Sequence, residues 1–451
     1  MYYHMEEASK LMLVKRTPDR YEKLAILGGM ASDDILYPPE PRGGRRGPYP
    51  QPKKNPSPGI YRASMPNGRH INLMRVMFTD FCKMDCAYCP NSHWVPRKRY
   101  AFKVDELAQV FMEAQQRGMV SGLFLSSGIA GDGSKTTERL VKVVDAIRNR
   151  HGFKGYIHLK VMPGADFEHV EAAHRLGTRL SVNMETPTND HMLKLSGMKD
   201  FENDILAPMR WIHELTGATP GGAVGQATQL VVGAADESDR EVFDRMDQLY
   251  TEWRLKRIYY APFRPVRHTP LEEHPPTPMI RSHRLYQLDW LKRVYSFQND
   301  ELDLAFASDG YLPLEQDPKT SIAVENLDAF PMDINRASHD QLLRIPGVGP
   351  KSAQRIVNVR RQHSIDAWRD LQAMGVVRKR AWPFIVFSGY RPPRAKQLRM
   401  DLFGADKEEM RRSTPDTAAQ QSPAPCGEPR SCVGCPMFGM PGHPGHAGFA
   451  A

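Results

Sequence analysis

Cysteine is scarce in this 451-residue chain, which has only six. Cys82, Cys86 and Cys89 share one stretch, residues 81–93 (FCKMDCAYCPNSH), and the next thiol is Cys426. Three clustered thiols in a chain without a signal sequence do not suggest a disulfide framework. Any run of about 18 apolar residues is also missing, so no membrane span is expected. The first residues, MYYHMEEASK, have neither a secretory nor a transit layout, so a reducing cytoplasm is the expected setting. Glutamate is absent from residues 326–400, where fourteen Lys or Arg stand against five Asp. That excess of nine equals the net charge of the whole chain, so the remainder is close to neutral. Such a block fits a polyanion surface as well as a solvated face.

The thiols themselves are spaced by three and then two residues. One short loop of this kind can hold three corners of an iron–sulfur cubane and leave the fourth iron open. The rival is structural zinc with His93 as fourth ligand, although structural zinc usually draws on two separated ligand pairs. The preceding Ile71–Thr79 (INLMRVMFT) is apolar and β-prone, which puts the loop at the end of a buried strand.

From Ile71 to Tyr260 strand-like and helix-like segments alternate. β-type runs occur at 71–79, 121–127, 155–161, 179–184, 227–232 and 257–261; helical patterns occupy 104–117, 135–150, 166–176, 201–216 and 238–252. Six strands separated by helices imply parallel pairing with right-handed crossovers. Before them lie a helix-like segment around Tyr21–Leu27, then Gly28-Gly29, and a linker over 38–70 with nine prolines and seven Lys or Arg. After them, 281–325 reads as a helical connector with Leu285, Leu288 and Leu291 in the core.

A second motif lies in residues 334–361, INRASHDQLLRIPGVGPKSAQRIVNVRR. One helix ends near Ile345, Pro346–Pro350 turns, and Lys351–Val359 begins another helix with Ile356 and Val357 inward. Gly347 and Gly349 permit positive φ, and uncovered amides beside Lys351 suit a phosphate. This helix–hairpin–helix signature suggests duplex-backbone binding through Gly347, Gly349, Lys351, Ser352 and Arg355. A degenerate copy follows at Leu371–Ala381. The rival is a protein–protein hairpin.

CxxxCxxC with Tyr88 before its last cysteine resembles the radical S-adenosylmethionine (SAM) superfamily. GLFLSSGI (122–129), RLSVNMETPT (179–188), GQATQLVVGA (225–234) and LLRIPGVGPKSAQRI (342–356), among other stretches, resemble a family of DNA modification or repair radical SAM proteins. That resemblance covers Ile71 to Arg391. It implies an α/β fold, a partial (β/α)6 TIM-like barrel with a smaller all-α helix–hairpin–helix domain; beyond it, the polar, aperiodic composition after Tyr390 predicts a disordered tail. It also implies a [4Fe-4S] cluster on Cys82, Cys86 and Cys89, with SAM chelating the open iron. Expected cofactor contacts are Tyr88, Ser126, Ser127, Gly128, Asn183, Glu185, Gln229 and Gly233. The family further implies a uracil-DNA-glycosylase-like partner, and reduction of the cluster calls for an electron donor such as flavodoxin or ferredoxin.

The expected domains are 1–70, an N-terminal extension; 71–325, the barrel and connector; 326–395, the hairpin domain; and 396–451, the tail. Within that tail Gln397–Phe403 (QLRMDLF) looks like a sliding-clamp peptide. Cys426, Cys432 and Cys435, near His443 and His446, form either a second metal site or exposed thiols of an unstructured segment. The functional reading is a radical SAM enzyme that modifies or repairs a nucleotide in DNA. Its rivals are an enzyme of structured RNA and a redox-sensing cluster scaffold that recruits a glycosylase.

Overall fold

Alternation of inward and outward side chains builds the central sheet. The structure, a computed structural model, describes residues 18–31, 59–64, 70–218, 224–388 and 390–392. The strands are β1 (Ile60–Ser64), β2 (His70–Met77), β3 (Gly122–Ser126), β4 (Tyr156–Lys160), β5 (Arg179–Ser181), β6 (Gly225–Val232) and β7 (Arg257–Pro262), paired in that order. β2 to β7 are all parallel, as expected for strands joined through helices, and β1 runs antiparallel to β2 at one edge. On β4, Ile157 and Leu159 are fully buried among the core residues. His158, on the other face, contacts Phe124 of β3 and Ser181 of β5, which marks the interior of the curl. The six parallel strands make a partial TIM-like barrel.

The outer layer is helical. It comprises α1 (Arg20–Met30), α2 (Val104–Gln116), α3 (Gly133–Asp145), α4 (Phe167–Leu176), α5 (Asn189–Leu195), α6 (Ala207–Ala218) and α7 (Asp239–Thr251). α3 continues as a wider π turn over Ala146–Arg150, and another over Phe201–Leu206 leads into α6. Leu107, Val110 and Phe111 of α2 are buried, as the apolar stripe requires. α1 runs through Gly28-Gly29 instead of ending there. A Cβ on Gly28 would meet the Gly59 Cα at 2.8 Å, so the missing side chain lets the helix close onto the start of β1. β1 lies inside the proline-rich stretch, whose composition conceals it.

α8 (Met279–Val294) then seals β7. Tyr286 Oη accepts the Tyr260 amide at 3.1 Å, and the two rings pack edge to face. Leu285, Leu288 and Leu291 are buried. Asp289, 0% exposed, pairs with Arg293 one turn on and lies 3.9 Å from Arg257 of β7. α9 (Asn299–Asp303) and α10 (Pro318–Glu325) carry the chain to α11 (His339–Arg344), α12 (Pro350–Val359), α13 (Trp368–Ala373) and α14 (Arg378–Ala381). A short parallel pair, β8 (Met332–Asp333) with β9 (Ile385–Val386), ties the ends of this unit together. Arg344 bonds Glu301 at 2.6 Å, and Asp317 pairs with Arg380, so the hairpins are docked on the connector. No helix among the described residues is long and apolar enough to cross a membrane.

Removing Asp289 would strand the largely buried Arg257 and Arg293 at the seam between β7 and α8. Asp289→Ala is expected to cost about 3 kcal/mol, read as a lower urea midpoint. An unchanged midpoint would mean that the pair does not hold the seam.

Candidate active site and nucleic-acid interface

The cysteine loop begins where β2 ends and is held by its own backbone. Arg99 donates to the carbonyls of Asp80 (2.8 Å), Asn91 (3.0 Å), Ser92 (2.8 Å) and Val95 (2.8 Å), gathering both ends of the loop around one guanidinium. Trp94 Nε1 donates to the Asp85 carbonyl at 2.9 Å, and Ser92 Oγ to the Met84 carbonyl at 3.1 Å. Asp85 accepts the Gly197 amide at 2.9 Å and the Ser196 hydroxyl, fastening the loop to the segment after α5. Of the three thiols, Cys86 is buried and Cys82 and Cys89 are half-buried, with the Asn91 amide donating to Cys89 Sγ at 3.4 Å.

Gly128 sets how close the next strand end can come. Its amide donates to the Thr79 carbonyl at 2.7 Å. A Cβ there would overlap the Phe81 carbonyl and reach the Cys82 Cβ at 3.1 Å. Ser126 is buried at the end of β3, and Ser127 Oγ donates to the Gly128 carbonyl at 2.7 Å. The small residues of this segment therefore pack directly against the thiol loop.

Opposite them stands Glu185, a non-glycine residue at φ 69°. Its amide donates to the Gln229 carbonyl at 2.9 Å and its carbonyl accepts the Val231 amide at 2.7 Å. The side chain is 6% exposed, and Oε2 is buried without a hydrogen-bond partner. Asn183, two residues past the end of β5, and Gln229, on β6 beside Glu185, are half-buried. Gly233, at φ 80°, turns the chain after β6; its amide donates to Glu237, and a Cβ would collide with Thr277. Tyr88 packs against the cluster formed by Leu195, Val231, Ala234, Ala235 and Phe263, which brings the ends of β6 and β7 to the loop.

Lys199 escaped the sequence reading. It follows α5 with no motif around it, yet only 7% is exposed, and Nζ lies 3.4 Å from Tyr88 Oη. Burial works against its charge, but Cys86 and Glu185 outweigh this and raise its pKa above the ordinary lysine range. Burial pushes the Cys86 thiol up, with Lys199 opposing. Burial, with Glu185 and Cys86 adding to it, pushes the Tyr88 hydroxyl well up. Cys86, Tyr88, Glu185 and Lys199 thus form one coupled cluster at the carboxyl edge of the sheet.

His93 is exposed, packs on Trp94 with the two rings tilted by 44° and places Nδ1 3.2 Å from the Lys83 carbonyl. Among the described residues no three His, Cys, Asp or Glu are arranged around a single metal ion. The donor set of three thiols from one loop suits a cubane, whose irons are spread over several corners. Glu185 Oε2 offers a buried acceptor to a hydroxyl donor, as a ribose provides.

In the hairpin unit, α11 starts with a Ser338–Gln341 capping box and α12 has Pro350 in its first turn. Gly347 adopts φ 80°, and its missing Cβ admits the Val377 carbonyl of the second hairpin. Gly349 does not need positive φ: at −101° it is the N-cap of α12. Lys351 and Arg355 are exposed, whereas Ser352 is buried against Gly375 and does not present its hydroxyl outward. Ile356 is buried and Val357 half-buried. The degenerate copy is a second hairpin, α13 and α14 about Gly375 at φ 91°. Lys319 of α10 donates to the Val348 carbonyl at 2.6 Å, and burial pushes its pKa well below the usual lysine range. The clamp-like peptide Gln397–Phe403 and Cys426, Cys432 and Cys435 lie outside the described residues.

Residues 76–244 match the Radical SAM superfamily, and residues 330–376 match the helix-hairpin-helix motif. No curated protein matches the chain. Among solved structures, HydG, a maturase of the [FeFe]-hydrogenase, is 13% identical with a TM-score of 0.40, covering 48% of this chain and 49% of its own. Methylornithine synthase (PylB) is 14% identical with a TM-score of 0.38, covering 59% and 66%. The radical S-adenosylmethionine methyltransferase TsrM from Kitasatospora setae is 10% identical with a TM-score of 0.35, covering 44% and 35%. The chain thus spans about half the length of HydG. Members of the radical SAM superfamily bind a [4Fe-4S] cluster and S-adenosylmethionine. This chain carries a radical SAM superfamily domain over residues 76–244 and a helix–hairpin–helix motif over residues 330–376.

Proposed function

We propose that the protein is a radical SAM enzyme that modifies or repairs a nucleotide in DNA. The observation that carries this reading is the CxxxCxxC loop, packed on Gly128 at the carboxyl edge of six parallel strands. Cys82, Cys86 and Cys89 hold the cluster. Ser126, Ser127 and Gly128 lie toward the methionine end of the cofactor. Glu185 receives ribose hydroxyls on its unpartnered Oε2; Tyr88, Asn183, Gln229 and Gly233 complete the seat. Lys199 balances the negative charge of the thiolates and Glu185. Held by these residues and supplied with one electron, the cluster and SAM would supply radical chemistry, a reductive cleavage of the cofactor that serves hydrogen-atom abstraction from the substrate. Flavodoxin or ferredoxin is the class of donor for that electron, and a reducing cytoplasm suits the cluster.

Two features support a nucleic-acid substrate. The exposed Lys351 and Arg355 beside the first hairpin turn suit duplex phosphates without reading sequence. Inside the curl, inward positions of β2 to β5 include Arg75, Phe124, His158, Lys160, Arg179 and Ser181, and those of β6 and β7 include Gln229 and Tyr259. No Asp or Glu occurs in β2 to β7. Cationic and aromatic walls suit a base with its phosphate, unpaired or flipped from the helix. The glycosylase-like partner and the clamp peptide belong to this reading as repair partners. An RNA substrate and a non-catalytic scaffold are its rivals.

Reduced, anaerobic protein incubated with SAM is expected to release 5′-deoxyadenosine, which the scaffold would not. Cys86→Ala is expected to abolish it with loss of iron. Gly128→Ala is expected to do the same with little change in circular dichroism, because the added methyl displaces the loop. Full turnover by Gly128→Ala would show that the close approach is dispensable. Comparing damaged duplex, single strand and tRNA as substrates then separates the DNA and RNA readings.

For duplex binding, Lys351→Gln is expected to weaken all sequences alike and to reduce the slope of log K against log[salt] by about one. A slope unchanged by this substitution would remove Lys351 from the phosphate contacts.

A further inference from the structure

The second hairpin borders a pocket of about 870 Å³ that shares Arg355, but not Lys351, with the duplex contacts above. Its walls include Trp368 at the start of α13, Trp382 after α14, and Tyr390. Arg355, Arg378 and Lys379 supply its charge, and among the described residues no carboxylate lines it. The guanidinium of Arg378 stands 5.3 Å over the Trp368 ring, which also packs edge to face on Phe387 (5.5 Å) and Tyr390 (5.1 Å). Tyr390 Oη donates to the Trp382 carbonyl at 2.8 Å, so the aromatic walls are braced by each other. Arg355 Nη1 approaches the Met374 carbonyl at 3.4 Å, which fixes it between the first hairpin and the pocket.

We propose that this pocket holds one unpaired nucleotide of a DNA strand, base against the aromatic walls and phosphate on Arg378 and Lys379. The volume is in the range of small-ligand sites. Aromatic rings accept any base with an open face, and an open face is what a paired, stacked base lacks. Arginine supplies a planar, permanently charged donor fork for phosphate. Arg355, on the helix that follows the first turn, sets the two functions side by side. A duplex on the first hairpin would therefore present a strand end or an extrahelical nucleotide to the second. The inference rests on the DNA reading above and adds that the protein prefers an interrupted helix to an intact one.

Fluorescence anisotropy with the full chain tests this, comparing a blunt duplex with the same duplex carrying a short single-stranded DNA tail. The tailed duplex is expected to bind about tenfold tighter, the gain from stacking one base. A 2-aminopurine in the tail is expected to lose fluorescence on binding. Gln372→Glu, an exposed change that sets a carboxylate at the rim, is expected to remove the gain and leave blunt-duplex affinity unchanged. Trp382→Leu is expected to do likewise, with its melting temperature reporting whether it folds. Equal affinities for the two duplexes, or a gain that survives Gln372→Glu, would overturn the proposal. Failure of both duplexes to bind would instead strike the DNA reading. Tryptophan fluorescence would then be titrated with deoxyadenosine monophosphate, deoxyadenosine and inorganic phosphate. Quenching by the nucleotide alone supports the pocket assignment, and an equal response to phosphate overturns it.

Discussion

Gly128 and the cysteine loop share a space in which no side chain fits. The Gly128 amide is bonded to the Thr79 carbonyl, and the Phe81 carbonyl occupies the place of the missing Cβ. Because β2 and β3 are hydrogen-bonded neighbours, this contact fixes the loop relative to the sheet from its first residue. The other side of the loop is fixed by Ala87, which donates to the carbonyl of Leu195 at the end of α5, and by Asp85, which accepts from the segment just after it. Between these two attachments the three thiols have little freedom, which is what a rigid three-point ligand set requires. The Arg99 guanidinium, bonded to four loop carbonyls, replaces the regular backbone pairing that so irregular a segment lacks.

Electrostatics follow from that placement. Thiolates gathered at a strand end beside Glu185 would repel one another in a dry site, and Lys199 is the buried cation that compensates. The interior of the curl below carries further positive charge, and the hairpin unit carries most of the rest. A chain near neutrality outside residues 326–400 has therefore concentrated its net positive charge in and just after the hairpin unit. The Arg344–Glu301 pair and the Lys319 bond to Val348 join the hairpin unit to the connector helices, so it is docked instead of tethered.

Much of this was legible in the sequence, because periodicity and spacing report it. The six parallel strands and the longer helices between them follow the apolar pattern within a few residues, and the two hairpins follow their turn glycines, whereas the short α5 had no counterpart in the pattern. What was hidden had no local signature. β1 lies in a proline-rich stretch and exists only because β2 offers an edge. Gly28 reads as a helix stop, yet it is a packing contact with Gly59. Gly349 has the identity of a left-handed residue and the conformation of an N-cap. Ser352 reads as a polar ligand and packs as a core residue. Lys199 is an ordinary lysine until the fold carries it beneath Tyr88. In each case the deciding neighbour is distant in sequence.

The central claim concerns one iron without a protein ligand. Mössbauer spectroscopy of anaerobically prepared protein, before and after addition of S-adenosylmethionine, addresses it most directly. A cluster held by Cys82, Cys86 and Cys89 predicts four irons, of which a single site changes its isomer shift when the cofactor binds. Iron-free protein with zinc on the thiols, or a spectrum in which all irons ignore the cofactor, would contradict it.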